Sequence, residues 1–256
     1  MEAQLQSGQP SSELTDLEQT VILLPKVMTP QADDSNVVLH SMEECLASKR
    51  CQAENFKHIE QQSNRYHGAT LWQVHGDKVV KVNPMYPPMT TEEIDASFDL
   101  PYTRLPHPRY RGKVIPAYEM IRHSVNMHRG CFGGCAFCTI SAHQGKFIAS
   151  RSKESILREV RQVTQMEDFK GYISDLGGPS ANMYAMHGKN LEVCQKCLRP
   201  SCLHPRPCPN LNNDHGPLLD IYKAADAIPG VKKSFIGSGV RYDLSMHVSG
   251  NPQIDA

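Results

Sequence analysis

Three thiols fall within one short stretch of this chain: Cys131, Cys135 and Cys138, in the string Arg129-Gly130-Cys131-Phe132-Gly133-Gly134-Cys135-Ala136-Phe137-Cys138. The glycines between and before them let the backbone wrap closely. A reading as buried thiols at a helix start sits poorly with spacing that tight, and metal binding is the better account. Ligand sets made only of sulfur suit zinc or iron–sulfur. A cubane cluster is ordinarily held by four cysteines, so a set of three leaves one iron open to another ligand. Open catalytic and closed structural zinc sites differ in the same way. A zinc ion here would need a fourth ligand from elsewhere, and spacing alone leaves both metals open.

A second group follows as Cys194-x2-Cys197-x4-Cys202-x5-Cys208. Pro200, Pro205, Pro207 and Pro209 punctuate it, which predicts a loop rather than a helix. Four thiolates close a tetrahedral site, so structural zinc or an auxiliary iron–sulfur cluster would fit, and two reduced pairs are the plain alternative. Cys45 and Cys51 stand outside both groups and read as half-buried thiols in a helical region. Twelve histidines are mostly expected in solvent, His107, His187 and His215 among them. His128 and Arg129 flank the first cysteine loop.

Composition narrows the setting. The 256 residues carry 27 basic and 27 acidic side chains. That balance argues against a nucleic-acid partner, and the run Arg104, His107, Arg109, Arg111, Lys113 reads as a solvated linker. Residues Met1 to Thr20 are polar, and Val21 to Leu24 is too short to cross a bilayer. No membrane partner is expected. Without a secretory leader, nine cysteines point to metal in a reducing cytoplasm rather than to a disulfide framework.

The elements that must position these residues are legible in part. Residues 1–20 predict a disordered tail. Residues 21–100 predict a small α+β region. In it, Ser35 or Asn36 would cap a helix carrying Val38, Leu39, Met42 and Leu46, and a second helix would carry Phe56 and Ile59, with the break near Lys49–Arg50. A hairpin is expected from Thr70–Val74 and Lys78–Val82 around His75-Gly76-Asp77. Thr90 to Glu93 has the spacing of a capping box. Residues 101–120 form a Pro-rich connector. A main domain follows over 121–244, with strands at Ser124–Met127, Gly171–Leu176 and Ser234–Ile236. One helix is capped by Ser152 and another begins at Pro217. This alternation predicts a parallel β/α arrangement whose loops after the strands carry the chemistry. The cysteine loop, Gly177-Gly178 and Gly237-Ser238-Gly239 all fall there. Ser238 and Arg241 could hold a carboxylate or a ribose, Arg241 through its planar fork, or could simply form a surface turn.

The cysteine string, extended to Gly145, resembles the signature of the radical SAM superfamily, and within it the YgiQ-type proteins. So do Ser150-Arg151-Ser152-Lys153-Glu154-Ser155-Ile156, Ile173-Ser174-Asp175-Leu176-Gly177-Gly178-Pro179 and Ser238-Gly239-Val240-Arg241-Tyr242-Asp243. The resemblance runs from about residue 70 to 244. It implies that Cys131, Cys135 and Cys138 hold a [4Fe-4S] cluster whose open iron binds S-adenosylmethionine. One electron from a separate donor would cleave that cofactor to a 5′-deoxyadenosyl radical, which attacks a substrate the sequence does not identify. Phe137 would pack near the adenine. Gly177-Gly178 would contact the cofactor's amino group, although Pro179 stands where the family usually has an acid, and alone this segment reads as a plain turn. The YgiQ-type proteins carry a similar cysteine-rich insertion, here residues 187–213, which leaves its metal open between zinc and iron–sulfur.

The fold expected on this basis is an α/β chain holding an incomplete radical SAM barrel of about three β/α units. Residues 1–30 and 245–256 fall outside the resemblance, so the chain reads as the middle of a longer enzyme that lacks the family's N-terminal domain. Two other readings stay open: a structural module with two zinc sites, and an inactive fragment of such an enzyme.

Overall fold

The computed structural model describes residues 15–245. The expected tail at 1–20 therefore lies mostly outside the described residues, as does all of 245–256 except Ser245. In chain order the elements begin with β1 (Val21–Pro25), β2 (Asn36–Val38), α1 (Met42–Ala47), α2 (Lys49–Ser63), β3 (Thr70–His75) and β4 (Lys78–Val82). Then come α3 (Thr91–Phe98), α4 (Pro116–Ile121), β5 (Ser124–Asn126), β6 (His128–Arg129), α5 (Ile140–Gln144), β7 (Ala149–Ser150) and α6 (Lys153–Thr164). The remainder are β8 (Tyr172–Ile173), β9 (Asp175–Gly177), β10 (His187–Gly188), α7 (Leu191–Gln195), β11 (Leu211–Asn212), α8 (Gly216–Asp226), β12 (Lys233–Ser234) and α9 (Tyr242–Ser245).

The chain divides into two compact units. The first takes Met1–Pro87, Phe132–Lys146 and Leu191–His204. Its sheet has the order β1-β4-β3-β2, with β3 and β4 antiparallel and β2 parallel to β3. The hairpin stands as expected, because Gly76 takes the positive φ (58°) that the tight turn requires. Ser35 and Asn36 do not cap a helix. Asp33 accepts hydrogen bonds from both their backbone amides, and Val37 and Val38 enter the sheet beside Leu71 and Trp72. The helix starts later, at Ser41, whose hydroxyl accepts from the Glu44 amide while the Glu44 carboxylate accepts from the Ser41 amide. Ser48 then ends α1 and caps α2 through the Cys51 amide, so the expected break lies one residue earlier.

The second unit takes Pro88–Cys131, Phe147–Asn190 and Pro205–Ala256. Here β5 runs parallel to β9, and β8 parallel to β12. The expected strand at Gly171–Leu176 is broken at Ser174 into β8 and β9, and the last strand covers Lys233–Ser234 rather than Ser234–Ile236. Ser152 caps α6 by accepting from the Ser155 amide, and Ile156, Leu157, Val160 and Val163 are buried at helical spacing. Pro217 opens α8, which buries Leu218, Ile221 and Ala225. These side chains close over Val125, Met127, Ile173 and Leu176 to form the core. The sheets of the described residues are small and none closes into a barrel. No described helix is long and apolar enough to cross a membrane.

Arg104 departs from the solvated linker expected of its neighbours. Its guanidinium pairs with Glu159 and donates to the carbonyls of Arg122 (3.0 Å) and Ser124 (2.6 Å). The other oxygen of Glu159 accepts from buried Arg151 at 2.5 Å. Arg151 also donates to the Asn126 carbonyl (2.8 Å) and to both the hydroxyl and the carbonyl of Ser155. Its guanidinium lies 4.1 Å from the Phe98 ring centroid. Removing one partner leaves charge buried without compensation, which costs about 3–5 kcal/mol. Glu159→Gln should therefore lower the stability read by urea denaturation by about 3–5 kcal/mol. Asp99→Asn, which breaks the exposed Arg158–Asp99 pair, should cause no comparable loss, and equal effects of the two would contradict the assignment.

Candidate metal and cofactor site

The first cysteine loop leaves β6 at Gly130, whose φ is +89° and where an added Cβ would lie 2.1 Å from the Phe147 carbonyl oxygen. No residue with a side chain fits there. Phe132 is buried. Gly134 (φ +61°) again needs glycine, because a Cβ would meet the Ser201 Cβ at 2.7 Å. The Cys138 amide donates to the Cys135 carbonyl at 3.0 Å, a turn that leads into α5. Phe137, expected beside an adenine, is 91% exposed.

Each of the nine cysteines is half-buried. Among the described residues, no three His, Cys, Asp or Glu side chains gather around a point that could hold a metal ion. Cys131 belongs to the second unit, and Cys135 and Cys138 to the first. The donor set nevertheless fits an iron–sulfur cluster in kind, being all sulfur, partly exposed and set on a glycine-rich loop.

The second cysteine group is not wholly a loop. Cys194 lies in the short helix α7, and the Cys197 amide donates to its carbonyl at 3.1 Å. The Cys202 amide donates to the Phe132 carbonyl (3.0 Å), and the Cys208 carbonyl accepts from the Leu211 amide (2.9 Å). At the base of the insertion β10 pairs antiparallel with β11. Ser201 is buried, and its hydroxyl contacts the Gly133 carbonyl at 2.8 Å while accepting from the Leu203 and His204 amides. Lys146, also buried, donates to the Arg199 carbonyl (2.6 Å) and to the Cys197 Sγ (3.4 Å). Neither Ser201, between Pro200 and Cys202, nor Lys146, between Gly145 and Phe147, was singled out from the sequence.

In the second unit, Gly177 and Gly178 end β9, and Ser238 follows β12. A Cβ on Gly177 would lie 2.0 Å from the Ser238 Oγ, and one on Gly178 would lie 2.4 Å from the His128 ring. Ser238 donates to the Asp175 carboxylate (3.1 Å) and accepts from the Gly178 amide (3.4 Å). These groups stand where parallel strands end, the place where such folds bind ligands. Arg241 turns its fork onto the Asp243 carboxylate, with its Nε at 3.1 Å and Nη2 at 2.5 Å, and this holds the Asp243 carboxyl below the ordinary carboxylate range. Asn182 grips the backbone of Arg241, accepting from its amide (2.8 Å) and donating to its carbonyl (2.9 Å). Asp175 and Asn182 were not singled out from the sequence. The glycine string hinted at Asp175, and nothing hinted at Asn182.

Two histidines are buried, and of these His215 departs from its expected place in solvent. His215 is buried beside Asn182, and burial pushes its pKa down. His128 is wholly buried, with no hydrogen-bond partner on either ring nitrogen among the described residues. Burial, with a smaller push from the Arg129 charge, lowers its pKa to about 4. An unfolded histidine takes its proton near about 6.5. Between those values the unfolded chain binds the extra proton. Stability is therefore full above about 6.5 and falls as pH drops toward about 4, by about 3 kcal/mol in all. Urea denaturation from pH 7 to pH 4 should show this slope in the wild type and lose that part of it in His128→Leu. Equal slopes would contradict a neutral buried ring.

Comparisons with known proteins bear on this arrangement. Residues 1–124 match the family described as Radical SAM N-terminal. That corrects the expectation that the chain lacks this domain and that residues 1–30 fall outside the resemblance. The chain is 70% identical over 221 residues to a UPF0313 protein of Bacteroides thetaiotaomicron, covering 86% of this chain and 35% of that protein. It is 62% identical over 241 residues to a UPF0313 protein of Porphyromonas gingivalis, covering 94% of this chain and 38% of the relative. The UPF0313 protein YgiQ of Salmonella typhimurium is 44% identical over 211 residues, covering 82% of this chain and 29% of its own length. The chain belongs to the radical SAM family in its UPF0313 (YgiQ-type) branch, and it spans about a third of the length of these relatives.

Proposed function

We propose that this chain carries the cluster- and cofactor-binding part of a radical SAM enzyme. Cys131, Cys135 and Cys138 would hold a [4Fe-4S] cluster, with S-adenosylmethionine bound at the open iron. The observation that carries this reading is the three-cysteine loop itself. It leaves the end of β6 just past residue 124, where the match to the N-terminal family stops. We read the parallel pairs β5–β9 and β8–β12, with α6 and α8 in the intervening connections, as about three β/α units of a barrel.

When bound, a cluster of this kind supplies the electron that cleaves S-adenosylmethionine to methionine and a 5′-deoxyadenosyl radical. The work left to the chain is to bind, orient and shield. The three thiols are the ligands. Gly177 and Gly178 admit the Ser238 hydroxyl and the His128 ring against the backbone at the end of β9, and Ser238 and Asp175 offer a hydroxyl and a carboxylate there to a ligand's amino group. Asp175 stands in for the acid missing at Pro179 as the acceptor for an ammonium group. Arg241, whose fork grips the Asp243 carboxylate, serves to hold its own loop rather than the cofactor's carboxylate. Phe137 presents an exposed ring for stacking. The substrate and the electron donor are left unassigned. The second cysteine group is read as a further zinc or iron–sulfur site.

Anaerobic reconstitution of the full chain with iron and sulfide should load iron onto the wild type. Cys138→Ala should lose the iron held by the first loop and, when S-adenosylmethionine and dithionite are added, the release of 5′-deoxyadenosine. Cys45→Ser, outside both groups, should match the wild type. Zinc in place of iron in the wild type, or equal iron in wild type and Cys138→Ala, would overturn the reading.

A further inference from the structure

The two cysteine groups are not independent within the first unit. The segment Phe132–Lys146 carries Cys135 and Cys138, and each of its ends is fastened to the cysteine-rich insertion. At the front, the Ser201 hydroxyl lies 2.8 Å from the Gly133 carbonyl and 3.2 Å from that of Phe132, while the Cys202 amide donates to Phe132 at 3.0 Å. Gly134 takes a positive φ, with its Cα so close to Ser201 that no side chain fits between. At the back, the Lys146 ammonium reaches the Arg199 carbonyl and the Cys197 Sγ. Ser201 and Lys146 are 3% and 2% exposed, so neither bond competes with bulk water. A surface insertion without a role in the loop would have no reason to bury a lysine amine against it.

We infer that the cysteine-rich insertion is a brace for the first cysteine loop, with Ser201 and Lys146 as positioning residues that hold both flanks of Cys135 and Cys138. The consequence for cluster binding rests on the function proposed above. The bracing itself does not. A loop pinned at both ends opens less often, and its thiols meet solvent reagents less often. Loss of either anchor should raise the opening of the loop by roughly the tenfold that one buried hydrogen-bonded contact commands.

The test is iodoacetamide labelling of the metal-free full chain, with each cysteine followed by peptide mass spectrometry. Ser201→Ala and Lys146→Met should each label Cys135 and Cys138 about tenfold faster than the wild type. Cys45 and Cys51 should keep their wild-type rates, and Lys146→Arg should restore slow labelling. Should Ser201→Ala fail to fold, the two Lys146 variants decide from the other flank. Unchanged rates at Cys135 and Cys138 would overturn the brace. So would a rise shared by Cys45 and Cys51, which would mean general loosening. Because no metal is present, a failure of iron binding leaves this result standing, and the two proposals can fall separately. On the reconstituted chain, the braceless variants should release iron to a chelator faster than the wild type while keeping the same cluster spectrum.

Discussion

The architecture of the second unit depends on a buried charge. Arg151 sits between α6 and the end of β5, and its guanidinium finds Asn126, Ser155, Glu159 and the Phe98 ring at once. Its backbone amide takes the Met127 carbonyl, and its own carbonyl receives the Tyr184 hydroxyl. A lone buried cation would be prohibitive, so every one of these partners has to be in place together. Glu159 in turn draws in Arg104, which fixes the carbonyls of Arg122 and Ser124. The short strand β5 is thereby fixed along its length, and the strand-end residues after it inherit that rigidity. His128 is one of them, held flat against Gly178 where any other residue would collide.

The two groups of chemistry-bearing residues are supported in different ways. Gly177, Gly178, Asp175 and Ser238 rest on strands of a packed core and are set by backbone register. Cys135 and Cys138 stand on a loop whose flanks are held by polar fastenings to Ser201, Cys202 and Lys146. A cluster would complete the loop, since metal ligation and local ordering are linked.

What the sequence made legible follows the range of the forces involved. The helix α6 could be read because Ser152 and the apolar positions 156, 157, 160 and 163 act within a few residues of each other. The hairpin at Gly76 and the capping box at Thr90 are local in the same sense. The misplaced helix at Ser35–Asn36 shows the limit: Val37 and Val38 were drawn into the sheet by Leu71 and Trp72, far along the chain. Arg104 read as linker because Glu159 lies outside any local window. Lys146, Ser201 and Asn182 were invisible for the same reason. Their roles come from partners brought near only by the fold, whereas the cysteine spacing carried its chemistry in the string itself.

The roles read for Phe137, Gly177, Gly178 and Ser238 all require that the three-cysteine loop hold a cluster with an open iron. The most direct measurement is the EPR spectrum of the reduced, anaerobically reconstituted full chain, taken with and without S-adenosylmethionine. The expected result is a cubane signal that shifts when the cofactor is added. A cluster signal indifferent to S-adenosylmethionine, or no cluster signal at all, would contradict it.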